Sequence, residues 1–132
     1  MTPIRDVMRT DFVTAAPEDT LGETAEKMVD RGVGAAAVRD YGRLIGIITE
    51  RDLMKAIAGR VHTSEARVRE WMTDEPVTAS PDMDVDEAAT IMVENNFRHL
   101  PVCEGEQIVG MLSLRRAVAA QLSVDIPAGP ER

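Results

Sequence analysis

The sequence predicts an α/β fold made of two copies of one unit, strand, helix, strand, strand, helix. Three observations predict it. The chain matches itself without a gap at an offset of 64 residues. Between residues 8–55 and 72–119, 12 of 48 positions are identical, where ordinary composition gives roughly 3. In each copy, apolar residues recur at helical spacing behind a capping signal, and two short apolar runs then flank a turn.

Each element can be justified in order. A short apolar stretch ends at Val13-Thr14 and again at Val77-Thr78, each followed by a proline, Pro17 or Pro81. Thr20-Leu21-Gly22-Glu23 reads as a capping box, and Asp84-Val85-Asp86-Glu87 as its counterpart. Leu21, Ala25, Met28 and Val29 then fall on one helical face, as do Val85, Ala89, Met92 and Val93. The helices are expected to stop near Gly32 and near Asn95-Asn96. Hairpins follow. Ala35–Val38 turns at Asp40-Tyr41-Gly42 into Leu44–Ile48, and Leu100–Cys103 turns at Glu104-Gly105-Glu106 into Ile108–Leu112. A last helix is capped by Thr49 or Ser113. It carries Leu53, Met54 and Ile57 in the first copy, and Leu114, Ala117, Val118 and Leu122 in the second. The repeats span 5–59 and 70–122, joined by a linker at 60–69 and followed by a frayed tail at 123–132. A unit of about 60 residues buries little of its own surface, so the two are expected to share a core.

Composition narrows the function. The 132 residues carry 23 acids and 15 bases, net −8, which argues against nucleic acid as a partner. No apolar run approaches the roughly 18 residues of a membrane span. The opening residues Met1-Thr2-Pro3-Ile4-Arg5-Asp6 carry no apolar signal stretch, so secretion is not expected, and one cysteine, Cys103, cannot form an internal disulfide. With two histidines and one cysteine, a zinc cage of His and Cys is not available, and no metal is expected. A reducing, cytoplasmic setting follows.

Several motifs are specific in combination. Met8-Arg9-Thr10 and Met72-Thr73-Asp74 open the copies. Val13-Thr14-Ala15-Ala16-Pro17 and Val77-Thr78-Ala79-Ser80-Pro81 follow. Arg98-His99-Leu100-Pro101-Val102 begins a strand, and Gly46-Ile47-Ile48-Thr49-Glu50-Arg51-Asp52 ends one and starts a helix. With these residues the chain resembles a tandem pair of CBS (cystathionine-beta-synthase-like) domains, of the stand-alone bacterial or archaeal kind, over residues 5–122. The resemblance implies two repeats packed by pseudo-two-fold symmetry with clefts between them. It implies a homodimer, a regulated protein partner, and an adenosine-containing ligand: AMP, ADP, ATP, NAD or S-adenosylmethionine. No cofactor is implied beyond that regulatory ligand.

The resemblance places nucleotide binding at Ile48, Thr49, Arg51, Asp52, Val77, Arg98, His99 and Arg115. One carboxylate, Asp52, can accept from both hydroxyls of a ribose, and arginines such as Arg98 and Arg115 suit phosphate. The residues also admit plainer roles. Thr49 and Asp52 suit helix capping, the arginines suit surface ion pairs, and His99 suits a half-buried strand position. A second cleft would involve Val13, Gly34, Ala35, Ser113 and Arg116. There Arg116 replaces the carboxylate, and a guanidinium cannot accept hydroxyl protons. This cleft is therefore expected to be weak or vacant for ribose.

No nucleophile, base and orienting group converge in the sequence, so the chain is read as non-enzymatic. The alternative is a ligand-free, dimeric protein-interaction scaffold that uses an apolar patch at Met54 and Ile57.

Overall fold

The structure is a computed structural model that describes residues 1–127; the tail positions 128–132 lie outside them. Two compact units form. One is Val13–Pro76. The other combines Met1–Phe12 with residues 77–127. The mixed α/β architecture and the doubled unit agree with the sequence.

The Val13–Pro76 unit contains β1 (Thr14–Ala15), α1 (Leu21–Arg31), β2 (Ala35–Asp40), β3 (Arg43–Thr49), α2 (Glu50–Ala58), α3 (Val68–Trp71) and β4 (Thr73–Asp74). Its sheet runs β1-β2-β3-β4, with β1 parallel to β2 and the other pairs antiparallel. The other unit contains a short 3-10 turn (Ile4–Asp6), α4 (Val85–Asn95), β5 (His99–Glu104), β6 (Gln107–Ser113) and α5 (Leu114–Leu122). Its β5-β6 hairpin is flanked by single bridges, Ala79 to Val102 and Arg9 to Met111. These stand where β1 and β4 stand in the first unit.

Each unit encloses its own buried cluster. Each cluster is completed by the segment that precedes the other repeat in sequence. Ile4, Val7 and Met8 pack with Leu100, Val102 and Leu112 of the second repeat. Val68, Trp71 and Met72 pack with Leu21, Val38 and Ile48 of the first. The segment 60–69, a linker by sequence, is bonded onto the first repeat: Leu21 N–H donates to Ala66 O at 2.9 Å and Val68 N–H to Asp19 O at 2.9 Å. This exchange explains a repeated glycine. A Cβ on Gly46 would stand 2.6 Å from Met72 Sδ and 2.9 Å from Thr73 O, and one on Gly110 would collide with Met8. The repeated Met and Gly are two halves of one close approach.

The α1 capping box forms as expected. Glu23 N–H donates to Thr20 Oγ1 at 3.1 Å, and Thr20 N–H donates to Glu23 Oε1 at 3.1 Å. These bonds from Thr20 hold the Glu23 carboxyl below the ordinary glutamate range. A carboxylate depressed in the folded state contributes stability above its unfolded value and loses it as pH falls through its folded value. The gap in melting temperature between the protein and Glu23→Gln is therefore expected to shrink as pH drops below the ordinary glutamate range. A gap constant down to acid pH would contradict this role.

The expected box at Asp84 does not form. Asp84 makes no side-chain cap; its Oδ1 accepts from Thr2 N–H at 3.2 Å. Thr2 O in turn accepts from Val85 N–H at 2.8 Å. The incoming N-terminal segment thus satisfies an open helix donor itself.

Two further expectations are corrected. Val29 and Val93, placed on the core faces by spacing, are 74% and 66% exposed, whereas Thr24 is fully buried. Thr24 tolerates burial because its hydroxyl donates to Thr20 O at 3.0 Å. The strand expected at Val77-Thr78 is reduced to the one bridge at Ala79. In the first unit, Ala37 N–H donates to Val13 O at 2.9 Å. Pro101 occupies the equivalent position and has no N–H to give.

Both hairpins carry a register shift at the same place, after Val38 and after Val102. The first turns through Tyr41 (φ 51°) and Gly42 (φ 79°), both left-handed, as a two-residue I′ turn requires. Tyr41 is 97% exposed, so it contributes no packing to offset that conformation. Tyr41→Asn is expected to raise stability by roughly 0.5 kcal/mol, since Asn tolerates this region better. Urea denaturation measures it, and a loss of stability would contradict the assignment.

Candidate functional site

The two repeats build the same local frame at the junction of the hairpin and its last helix. In the first, the strand β3 delivers Thr49 opposite Ala35 of β2. Glu50 N–H donates to Gly34 O at 3.0 Å, which fixes the start of α2 against the start of β2. In the second, β6 delivers Ser113 opposite His99 of β5. Leu114 N–H donates to Arg98 O at 2.8 Å in the same way.

Within this frame the first repeat sets out Thr49 and Asp52 as a reciprocal cap. Thr49 Oγ1 accepts from Asp52 N–H at 3.3 Å. Asp52 Oδ2 accepts from Thr49 N–H at 2.9 Å and from its hydroxyl at 3.0 Å. The capping role is therefore real. Both bonds fall on Oδ2, so Oδ1 stands outside the box, and the carboxylate is only half-buried. Ile48 is fully buried in the core and pairs with Ala36 in the β2-β3 ladder. Arg51 is exposed on the first turn of α2. Gly34 and Ala35 are buried beside Thr49, and Val13 is buried in the core cluster.

The second repeat gathers a different set at the equivalent end. Arg98 and Arg115 are exposed, and His99 is half-buried. Ser113 Oγ accepts from Arg116 N–H at 3.1 Å, so the hydroxyl cap is kept. The first turn of α5 contains Arg115 and Arg116 and no acid, whereas α2 opens with Glu50 and Asp52. Cations at a helix N-terminus oppose its dipole. Arg116 has a structural task that sequence reasoning missed: its Nη1 donates to Val7 O at 3.0 Å, tying the N-terminal segment to α5. Val77 is 49% exposed, against 4% for Val13. It lies where Pro101 offers no donor to its carbonyl.

Elsewhere, burial pushes the Cys103 thiol above its ordinary range, which fits an inert strand cysteine. Among the described residues no three His, Cys, Asp or Glu side chains converge to hold a metal ion. Among the same residues no helix is long and apolar enough to cross a membrane.

Comparison with known proteins shows the family. The family model of the CBS domain matches twice, over residues 4–59 and 68–123. The CBS domain-containing protein YhcV of Bacillus subtilis is 30% identical over 123 residues, covering 93% of this chain and 88% of that protein. The CBS-domain containing protein ATU1752 of Agrobacterium tumefaciens superposes with a TM-score of 0.83 at 33% identity, covering 91% of this chain and 99% of that one. The CBS domain pair of protein MJ0100 gives 0.82 at 25% identity, covering 93% and 97%.

Proposed function

Because the chain belongs to the CBS domain family, we propose that it is a non-enzymatic sensor that binds an adenosine-containing nucleotide and relays binding to a protein partner. The observation that carries this reading is the contrast between the two helix starts. One presents a half-buried carboxylate with an oxygen outside its cap. The other presents Arg115 where a helix alone would favour acids, with Arg98 just before β5. A ribose diol suits the first and a phosphate suits the second. In this reading Asp52 and Thr49 take the ribose hydroxyls, directly after the buried Ile48. Arg98 and Arg115 take the phosphates, and Arg51, Val77 and His99 are further proposed binding positions. The CBS domain pair of MJ0100, solved with 5′-methylthioadenosine and S-adenosyl-L-methionine, supports the ligand class.

The second set of positions, Val13, Gly34, Ala35, Ser113 and Arg116, is proposed not to hold ribose. Arg116 cannot accept from hydroxyls, and its guanidinium already donates to Val7 O. Homodimerisation through the helices is part of the proposal. Val29, Met54 and Ile57 are exposed on α1 and α2, and Val93, Val118 and Leu122 on α4 and α5. A cytoplasmic setting is proposed from the single, unpaired cysteine.

Thermal melting tests the reading against a ligand-free scaffold. A ligand at 100 times its dissociation constant adds about 2.7 kcal/mol to the native state. AMP, ATP, NAD or S-adenosylmethionine is expected to raise the midpoint. A midpoint indifferent to all four would favour the scaffold.

A further inference from the structure

A second feature lies wholly within the Val13–Pro76 unit and serves none of these roles. Val61, His62, Glu65, Ala66, Glu70 and Trp71 line an open groove of about 550 Å³, within the size range of small-ligand sites. Trp71 is the only tryptophan of the chain. It is half-buried, with part of its ring against the core cluster and its Cη2 atom beside Gly59. Val61 and Ala66 supply apolar surface, and Glu65 and Glu70 are exposed carboxylates. Glu70 Oε1 accepts from Arg67 N–H at 2.7 Å.

Arg67 and Arg69, the cations between and beside these carboxylates in sequence, are directed elsewhere. Arg67 Nη1 donates to Glu18 O at 3.0 Å, and Arg69 Nε donates to Glu18 Oε1 at 2.6 Å. The lining therefore keeps its negative sign. Nor is the groove a by-product of the repeat. At the 64-residue offset, Trp71 corresponds to Val7 and Glu65 to Met1.

We infer that this groove is a docking site for an arginine side chain on a basic segment of a protein partner. An arginine combines an apolar stem with a flat cation. The stem matches Val61 and Ala66, the guanidinium stacks on the indole, and the two carboxylates accept its N–H groups. The site is independent of nucleotide binding and does not rest on it.

Trp71 supplies the readout. The full chain is titrated at pH 8, above the ordinary titration range of histidine, with the peptide acetyl-Arg-Gly-Arg-amide and with its citrulline counterpart, following tryptophan fluorescence. The arginine peptide is expected to give a saturable change, and the citrulline peptide none. Glu65→Gln with Glu70→Gln is expected to weaken binding at least about fivefold. Glu70→Gln keeps a side-chain oxygen for Arg67 N–H, so the melting midpoint should hold. Glu65→Gln alone, at an exposed position, is the second variant, expected to weaken binding by a smaller factor. No saturable change below about 10 mM, an equal response to citrulline, or unchanged affinity in the Gln variants would overturn the inference.

Discussion

Ile4→Ala is expected to destabilise the protein by about 2–5 kcal/mol, the range for truncating a fully buried aliphatic side chain. By position Ile4 looks dispensable: it is the fourth residue of the chain, in a three-residue 3-10 turn. By burial it is central. It is fully buried among Val85, Met92, Leu100, Val102 and Leu112 of the second repeat. Its segment is also held by backbone bonds, Ile4 N–H to Met83 O at 2.8 Å and Arg5 N–H to Pro81 O at 3.1 Å, so the cavity cannot close by letting the turn drift away. With domains stable by only about 5–15 kcal/mol, the loss is a large fraction of the total. Urea denaturation gives the magnitude. Amide hydrogen exchange locates it: protection is expected to fall first in β5 and β6. A cost below about 0.5 kcal/mol, the level of an ordinary surface change, would contradict the exchanged-segment packing.

Asp52→Ala is expected to weaken nucleotide binding at least tenfold, about 1.4 kcal/mol. The same change removes one half of the α2 cap, so stability should fall by about 0.5–1 kcal/mol. The two effects can be separated. Asp52→Asn keeps an oxygen for the Thr49 N–H and so should recover most of the stability. It loses the charge that strengthens bonds from ribose hydroxyls, so affinity should stay low. Calorimetric titration and urea denaturation of both variants read the two effects apart. Affinity restored by Asn, or untouched by Ala, would move the ribose away from Asp52.

Much of the fold was legible because its signals are local. The Thr20–Glu23 box, the left-handed stops at Gly32 and Asn96, and both hairpins follow from residues a few positions apart. What escaped depends on distant partners. The offset pairs Met8 with Met72, but nothing local says that each packs on the glycine of the other repeat. Asp84 has the residues of a capping box, yet Thr2, 82 positions away, bonds to it and caps α4 instead. Helical spacing put Val29 and Val93 inside because period alone cannot say how wide the buried stripe is. The short strand at Ala79 could have been anticipated, since a proline at 101 removes a donor wherever it sits.

The candidate site divides similarly. Thr49, Asp52, Arg98, His99 and Arg115 are candidates because the chain resembles the family at those positions. The burial of Ile48 and Val13, and the bond from Arg116 to Val7 O, were not legible in the sequence. Arg116 was readable only as the loss of a carboxylate. Its role in holding the N-terminal segment required the fold.

The central claim is that the chain holds one adenosine nucleotide through Asp52. Isothermal titration of the full protein with AMP, ATP, NAD and S-adenosylmethionine tests it most directly. At least one of them is expected to bind with a stoichiometry of one per chain. Absence of heat for all four at millimolar concentration would contradict the claim, and two equivalent sites per chain would contradict the role given to Arg116.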